Sequence, residues 1–509
     1  MEQYTKHTAG GYLQLPLGEK TVTTELSGDF TLPDYQPEIK RLLRVGAEVL
    51  PPSKYIGSRE AELEGSIDYY VYYTGSDNEV YCAPLSTEYK VSIPMETTEE
   101  QGILNLNVDV TVIPDLVIGR VTSPRKLSIK CRLRTRAEAF GEMALEDGFD
   151  SETDGVEVLY GDAEVTRTCW GTGEQLRLSD EMIADSREGE LRVISGEGRV
   201  LMNEIGVADG HISCRGDLYL RLMMSREDGT APYTAVRKLP FSQNIPVEGV
   251  RADYSASARG SLCDMSITVE DGRVCIDVGL ILEARACGNE SVCYVKDAYS
   301  TERKTDCRYR SVRMPTDGTS FHGNFTLSDS VALEDVGLSA GVSVVDVSGM
   351  VTPEECGFER DKCTVTGKAK FSLLTQKDGE YSVSDVELPF RYEVKTQGEA
   401  IEACCEAAVV SARARVDGER VGIDAEIGIG GAMRSMAEAS ILDAVDFGEA
   451  LTRAKGVYVI CYPSAEDSLW SVAKRYGTPQ AIIAKENSLP SDLPPDSAES
   501  LSNAKYLMI

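Results

Sequence analysis

The chain contains an internal repeat, which constrains its fold more than any other feature of the sequence. Three glycines, Gly65, Gly216 and Gly367, are each 151 residues apart. The second and third begin apolar-alternating runs that end in a charged Asp-Gly turn, and Leu-Pro-Phe follows soon after, at 239–241 and 388–390. The run from Gly65 is a weaker first copy. Self-similarity at a fixed period indicates several copies of one structural unit.

A second anchor gives nearly the same period. Lys130, Asp277 and Asp424 occupy matching positions in three similar stretches and are each 147 residues apart. The length of 509 residues agrees with three or four domains of ~100–200 residues. We therefore predict a divergent first repeat with an N-terminal segment and an acidic linker (1–154), a second repeat (155–299), a third repeat (300–446) and a C-terminal module (456–509).

Within each copy, the apolar residues recur with a period of two. In the second copy, alternate apolar positions are occupied by Val274, Ile276, Val278, Leu280 and Leu282. This period places one face of a strand on a core and the other in solvent. Asp-Gly pairs between such runs are typical of hairpin turns. The pattern predicts a mainly β protein with three tandem β-sandwich-like repeat domains, followed by a small βααβ domain.

The net charge of −31 disfavours binding to nucleic acid or anionic membranes, since a negative field repels phosphate. The stretch 141–164 is strongly acidic and is interpreted as a connection between the first two copies. Alternate residues of the preceding run are basic: Lys126, Lys130, Arg132, Arg134 and Arg136. This basic face is either a solvated sheet face or a contact for an acidic neighbour such as 141–164.

The cysteine content and the absence of a recognised export signal predict that the protein stays in the compartment in which it is made. There are 14 cysteines without a Cys-x-x-Cys pair, and no secretory signal or membrane-spanning run is recognised. Reduced thiols acting as small half-buried hydrophobes are the expected state. A cytoplasmic location is predicted.

The pattern changes at Gly456. A short strand at 456–463 is followed by Leu469, Val472, Ala473 and Tyr476, which lie on one face of a helix. Asp467 is predicted to cap the start of this helix and Gly477 to end it. Thr478 is predicted to cap a second helix that has Pro479 at its first position, and 505–509 forms a closing strand.

These residues resemble the LysM domain, whose matching positions here include Asp467, Ser468, Leu469, Trp470 and Asn487. LysM domains usually bind N-acetylglucosamine polymers such as peptidoglycan, through a groove between two loops. The family glycines of those loops are replaced here by Glu466 and Ala504. Glycine lets a backbone approach a ligand closely, so these replacements weigh against glycan binding.

The repeats and the LysM-like module together resemble clostridial spore-coat morphogenesis proteins of the SipL type, which carry three SPOCS domains and a terminal LysM domain. The Leu-Pro-Phe strands and the Asp-Ala-Tyr-Ser-Thr run at 297–301 carry this resemblance. It implies a mother-cell protein at the surface of the developing forespore. It also implies that the module binds the coat basement-layer ATPase (SpoIVA type) and that other spore coat proteins are partners.

Under this interpretation the partner-binding residues lie in the module loops and helix ends, with Lys474 and Arg475 exposed on the first helix and Trp470 more often a packing residue. The candidates are Glu466, Asp467, Ser468, Leu469, Trp470, Lys474, Arg475 and Asn487. Self-association is also possible through strand edges.

No sequence motif indicates catalysis. The histidines His7, His211 and His322 have neither metal-ligand spacing nor a neighbouring Cys-x-x-Cys, and no nucleophile elbow or phosphate-binding loop is present. We expect no enzymatic activity, no catalytic or metal site and no cofactor. Two alternatives remain: a binder of peptidoglycan or N-acetylglucosamine polymers, and an enzyme whose site forms across repeats, which no motif supports.

Overall fold

The computed structural model describes residues 12–57, 60–94, 103–145, 155–183, 190–226, 231–270, 272–359, 361–396, 400–452, 459–489, 494–501 and 504–509. Strands make up most of these residues, and two short α-helices lie near the C-terminus. The predicted mainly β fold is confirmed. No helix in the described part of the chain is long and apolar enough to span a bilayer.

The first group of strands forms two antiparallel sheets, which we call unit 1. Its strands are β1 (Tyr12–Thr31), β2 (Arg41–Val49), β3 (Ser53–Ile56), β4 (Glu60–Thr74), β5 (Val80–Pro94), β6 (Ile103–Ser123) and β7 (Lys126–Ala144). One sheet has the order β1-β7-β6, and in the other β4 pairs with β2, β3 and β5. The first strand of the unit therefore pairs with the last.

Unit 2 repeats this topology. Its strands are β8 (Val156–Thr172), β9 (Leu176–Ile183), β10 (Leu191–Ala208), β11 (His211–Arg226), β12 (Tyr233–Pro246), β13 (Ser255–Glu270) and β14 (Arg273–Ser300). The long strand β14 pairs with β13, β8 and β9, and β10-β11-β12 form the facing sheet. Val274, Ile276 and Val278 point into the core between the sheets, as their alternation predicts.

Unit 3 has the same arrangement with six strands. They are β15 (Arg303–Ala332), β16 (Ser343–Glu359), β17 (Lys362–Lys377), β18 (Glu380–Lys395), β19 (Glu402–Asp417) and β20 (Arg420–Ala450). The sheets are β15-β20-β19 and β16-β17-β18, with the core between them. In all three units the first and penultimate strands flank the last, and the central strands form the second sheet, except that β9 of unit 2 also pairs with β14.

The repeated glycines lie beneath an aromatic ring of the neighbouring strand. Gly216 is paired with Phe241, and Gly367 with Phe390. A Cβ added at these glycines would come within 2.6 and 2.7 Å of the respective rings. Gly65 is related to Tyr89 in the same way, at 2.9 Å. The ring occupies the space that a side chain at the glycine position would need, which explains why the glycine and the Leu-Pro-Phe run recur together.

The acidic stretch 141–164 is mostly strand at its two ends, so its interpretation as a connection is wrong there. Strand β7 continues to Ala144 and β8 begins at Val156, while residues 146–154 lie outside the described part. The basic face of β7 points away from the unit 1 core. Arg132 pairs with Asp115 at 2.7 Å and Arg136 with Glu19 at 2.6 Å. The acidic partners that the structure describes therefore come from β6 and β1.

Equivalent residues of the three units meet at one point. Strands β6, β13 and β19 each carry a bulge, between residues 114 and 116, 262 and 264, and 409 and 411. Counting back equally from these bulges gives Thr111, Arg259 and Glu406. The Arg259 guanidinium lies 2.6 Å from the Glu406 carboxylate and 3.5 Å from the Thr111 hydroxyl, and Thr111 donates to Glu406.

This meeting point joins unlike groups, because each copy supplies a different residue type. Three arginines or three glutamates at such a position would bring three like charges together, which is unfavourable. Here one cation, one anion and one hydroxyl satisfy one another. Because the three copies differ in sequence, they can supply complementary groups at this position. The units can therefore pack around a common centre that three identical charged residues would disfavour.

A second ion-pair network joins the units through their other sheets. Arg44 of unit 1 lies 2.6 Å from Asp346 of unit 3, and Arg221 of unit 2 lies 2.7 Å from Glu197 and also contacts Asp346. Burial alone would raise the pKa of Glu197, but Arg221, Arg44 and Arg199 outweigh it and lower the pKa to about 2. The buried charges are therefore compensated across unit boundaries.

Candidate protein-binding site in the C-terminal module

The C-terminal module is a small β-α-α-β arrangement. Strand β21 (Ile460–Cys461) pairs with β22 (Leu507–Met508), and helices α1 (Leu469–Tyr476) and α2 (Gln480–Glu486) lie between them in the chain. Its buried core includes Cys461, Val472, Ala473, Ile483 and Leu507. The predicted strand at 456–463 is confined to Ile460–Cys461 within the described residues.

Helix α1 begins one residue later than predicted. Ser468, not Asp467, is the N-cap: its hydroxyl accepts from the Ser471 amide at 3.1 Å, and Ser471 in turn accepts from the Ser468 amide. The helix ends at Gly477, whose φ of 62° is left-handed as the sequence predicts. Helix α2 begins after Pro479 as N-cap rather than after Thr478.

Asp467 closes the loop before α1 instead of capping the helix. Its carboxylate accepts from the Ser464 amide at 2.8 Å and pairs with Arg475. These hydrogen bonds, from Ser464 first and then Arg475, lower the pKa of Asp467 below its usual value. Asp467 is buried while Arg475 is exposed. Both predicted partner residues therefore stabilise the module loop, and Arg475 also reaches the surface.

The module is docked against the end of unit 2. The indole N–H of Trp470 donates to Asp297 Oδ2 at 2.8 Å, and the Trp470 ring packs edge-to-face on Tyr299 at 5.0 Å. The Tyr299 hydroxyl donates to the Thr478 carbonyl at 2.9 Å. Leu159 of β8 belongs to the same apolar cluster. The Asp-Ala-Tyr-Ser-Thr run at 297–301 thus contributes the surface on which the module docks.

Lys474 is half-buried in this contact, instead of exposed as expected. Its ammonium group lies 2.5 Å from Asp297 Oδ1 and 3.1 Å from the Tyr309 hydroxyl. Burial opposes ionisation of Asp297, but hydrogen bonds from Lys474, Trp470 and Tyr309 outweigh it and lower the pKa of the carboxyl. Lys474 does meet an acidic group, as its charge predicts, but within its own chain.

The backbone amides at the start of α1 are already bonded. Leu469 N–H donates to the Ser500 hydroxyl at 3.0 Å, and Trp470 N–H donates to the Pro495 carbonyl at 2.8 Å. The loop that supplies these acceptors is tied to unit 2, since Asp496 lies 2.5 Å from Lys296. The first-turn amides, which a ligand between the two loops would otherwise find free, are therefore used by the chain itself.

The remaining predicted residues divide into one surface residue and two structural ones. Glu466 is exposed in the first loop, and Leu469 is buried in the module core. Asn487 holds α2 to β22: its side chain donates to the Met508 carbonyl at 2.8 Å and accepts from the Met508 amide at 2.7 Å. Of the eight candidates, only Glu466 and Arg475 are exposed.

Sequence reasoning missed an exposed apolar face on the small sheet. Ile460 pairs with Met508 across the strands. Tyr462 and Tyr506 lie just outside the two strands, two residues from Ile460 and Met508, a spacing that places them on the same side if the strand alternation continues. Their exposed fractions are 56% for Ile460, 74% for Tyr462, 56% for Tyr506 and 37% for Met508. The signal was present in the sequence, because apolar residues at consecutive strand positions must place some of them outside the core.

Comparison with known proteins supports the assignment of the module. The family model of the LysM domain matches residues 464–496. No curated protein and no solved structure matches the chain. The fold and this match define a mainly β protein that carries a LysM domain docked against its preceding β units.

Proposed function

We propose that this protein is a non-enzymatic scaffold in endospore coat assembly whose LysM domain binds another polypeptide. The partner is the coat basement-layer ATPase implied by the resemblance to spore-coat morphogenesis proteins, and the place of action is the forespore surface in the mother cell. The exposed apolar face formed by Ile460, Tyr462, Tyr506 and Met508 carries this proposal. An apolar patch of this kind on a folded domain is typical of a protein interaction site.

The position of the patch supports a protein partner. Trp470 and Lys474, on α1, are occupied by Asp297, whereas the small sheet is left open to solvent. Tyrosines are well suited to such contacts, because they offer large apolar area with a polar tip. The docked domain is therefore presented in a fixed orientation by unit 2, with its free apolar face outward.

Binding of the full-length protein to the purified ATPase, measured by biolayer interferometry, tests the proposal. The double variant Tyr462→Ser/Met508→Ser is expected to bind at least tenfold more weakly, a loss of about 1.4 kcal/mol or more. Ile482→Ser is the matched control, since Ile482 is a comparably exposed apolar residue (51%) on α2. Equal affinity of wild type and both variants would contradict the proposed site.

Glycan binding is the second candidate, because the LysM match itself favours it and Glu466 in the first loop is exposed. Calorimetric titration of the full chain with N-acetylglucosamine oligomers separates the two. Micromolar affinity, about −8 kcal/mol, combined with no binding to the ATPase, would favour the glycan. The bonded amides of Leu469 and Trp470 predict instead that no such affinity is found.

A further inference from the structure

Two cysteine sulfurs of unit 3 are in contact across its core. Cys356 lies on β16 and Cys405 on β19, so the two belong to different sheets of the same sandwich. Their Sγ atoms are 3.3 Å apart. Both side chains are half-buried. A disulfide requires ~2.05 Å between the sulfurs, so a small side-chain movement suffices to close this pair.

One residue of the pair borders a cavity between the units. Cys405 lines a cavity of about 810 Å³ to which all three units contribute. Small polar molecules can therefore come up to the Cys405 position without unfolding of the sandwich, and Cys356, which touches Cys405, is itself only half-buried. On the neighbouring residue of β19, the Cys404 sulfur is in contact with the Arg136 guanidinium of unit 1, so a positive charge lies close to the site.

The protonation equilibrium of the pair favours reaction near neutral pH. The hydrogen bond from Cys405, the largest effect, lowers the pKa of Cys356 to about 7, against the opposing effect of burial. The thiolate is the nucleophilic form of cysteine. A second neighbour, Cys363, is fully buried on β17, and burial raises the pKa of its thiol to about 11.

We propose that Cys356 and Cys405 form a peroxide-reactive dithiol that closes to a disulfide between the two sheets of unit 3. The Cys356 thiolate attacks one oxygen of hydrogen peroxide, the O–O bond breaks, and a sulfenic acid and hydroxide form. The Cys405 sulfur then attacks the sulfenic sulfur, and the hydroxyl leaves as water. In sum, two thiols and one peroxide give one disulfide and two waters, with both electrons coming from the thiols.

The disulfide would link β16 to β19 and so restrain the two sheets of unit 3. Cross-linking residues far apart in sequence restricts the unfolded chain and stabilises the folded one. Oxidation is therefore expected to raise the melting temperature by ~5 °C, and dithiothreitol should reverse the increase. The oxidant would therefore increase the stability of the folded protein rather than inactivate it.

The experiment uses the reduced full-length chain treated with hydrogen peroxide and then alkylated with N-ethylmaleimide. Intact mass and a tryptic map are expected to show two of the 14 thiols lost and the Cys356 peptide joined to the peptide that contains Cys405. Cys363 lies on a separate tryptic peptide, because Lys362 precedes it. A Cys356–Cys363 bond would therefore be recognised, and would overturn the assignment.

Matched variants identify the reacting sulfur. Cys405→Ser should abolish the cross-link and the gain in melting temperature, whereas Cys404→Ser, the adjacent residue, should retain both. Circular dichroism of the reduced variants checks that each is folded, and Cys356→Ser replaces Cys405→Ser if that variant does not fold. A wild-type chain that keeps all its thiols under peroxide, or a cross-link that survives in the folded variant, would overturn the proposal.

Discussion

The indole nitrogen of Trp470 lies 2.8 Å from Asp297 Oδ2, although the two residues are 173 positions apart in the chain. This hydrogen bond joins the LysM domain to the last strand of unit 2. The Asp297 carboxylate also accepts hydrogen bonds from the Lys474 ammonium group and the Tyr309 hydroxyl. One carboxylate therefore holds three side chains. The domain is therefore a docked part of the molecule and not an independent tail.

Removing the charge of Asp297 should release the domain. In Asp297→Asn, the Lys474 ammonium loses its counter-ion while still half-buried, so we expect docking to weaken by about 1–3 kcal/mol. Hydrogen exchange should rise in α1 while unit 2 stays protected. Asp446→Asn is the control, because Asp446 is exposed and 3.6 Å from Arg308. Unchanged exchange in α1 would show that Asp297 does not hold the domain.

Docking should weaken in acid and not at neutral pH. The folded-state pKa of Asp297 is lowered, so its contribution is present above the unfolded value of ~3.9 and is lost as the pH falls through the folded value. Fluorescence of Trp470 in a Trp170→Phe background should therefore be constant from pH 7 to ~4 and change below. In the same background Asp297→Asn should show no such step, and a step near pH 6 with Asp297 intact would argue against this carboxyl.

The centre of the three units should depend on Arg259. Arg259→Met leaves Glu406 and Glu283 without their shared cation, so we expect a loss of about 3–5 kcal/mol in the free energy of unfolding. Urea denaturation measures it. The double variant Arg259→Glu/Glu406→Arg, which exchanges the two charges, should have a higher free energy of unfolding than Arg259→Glu alone. Additive effects of the two exchanged residues would show that they do not interact.

The repeated glycine should be intolerant of any side chain. A Cβ at Gly216 would collide with the Leu201 carbonyl and lie 2.6 Å from the Phe241 ring, so Gly216→Ala should destabilise by about 1–3 kcal/mol. Gly357→Ala is the matched control, since its nearest neighbour is 3.9 Å away. Thermal unfolding of the two variants compares them directly. A Gly216→Ala protein as stable as the control would mean that the ring moves freely.

Much of the local structure could be predicted from the sequence. The period-two alternation gave the strand faces, as at Val274, Ile276 and Val278, and Gly477 gave the end of α1. The LysM assignment came from residues close together in the chain, and the family model supports it. The cap of α1 was misplaced by one residue, because Asp467 and Ser468 are both good caps and only the loop geometry selects between them.

By itself, the sequence determined which residues form strands and helices and that one pattern recurs three times, since backbone preferences and apolar alternation act over a few neighbouring residues. Only the tertiary structure decided that Thr111, Arg259 and Glu406 meet, that Asp297 receives Trp470, and that Cys356 touches Cys405. These contacts join residues tens to hundreds of positions apart. Their partners depend on how complete sheets pack, which no local preference specifies.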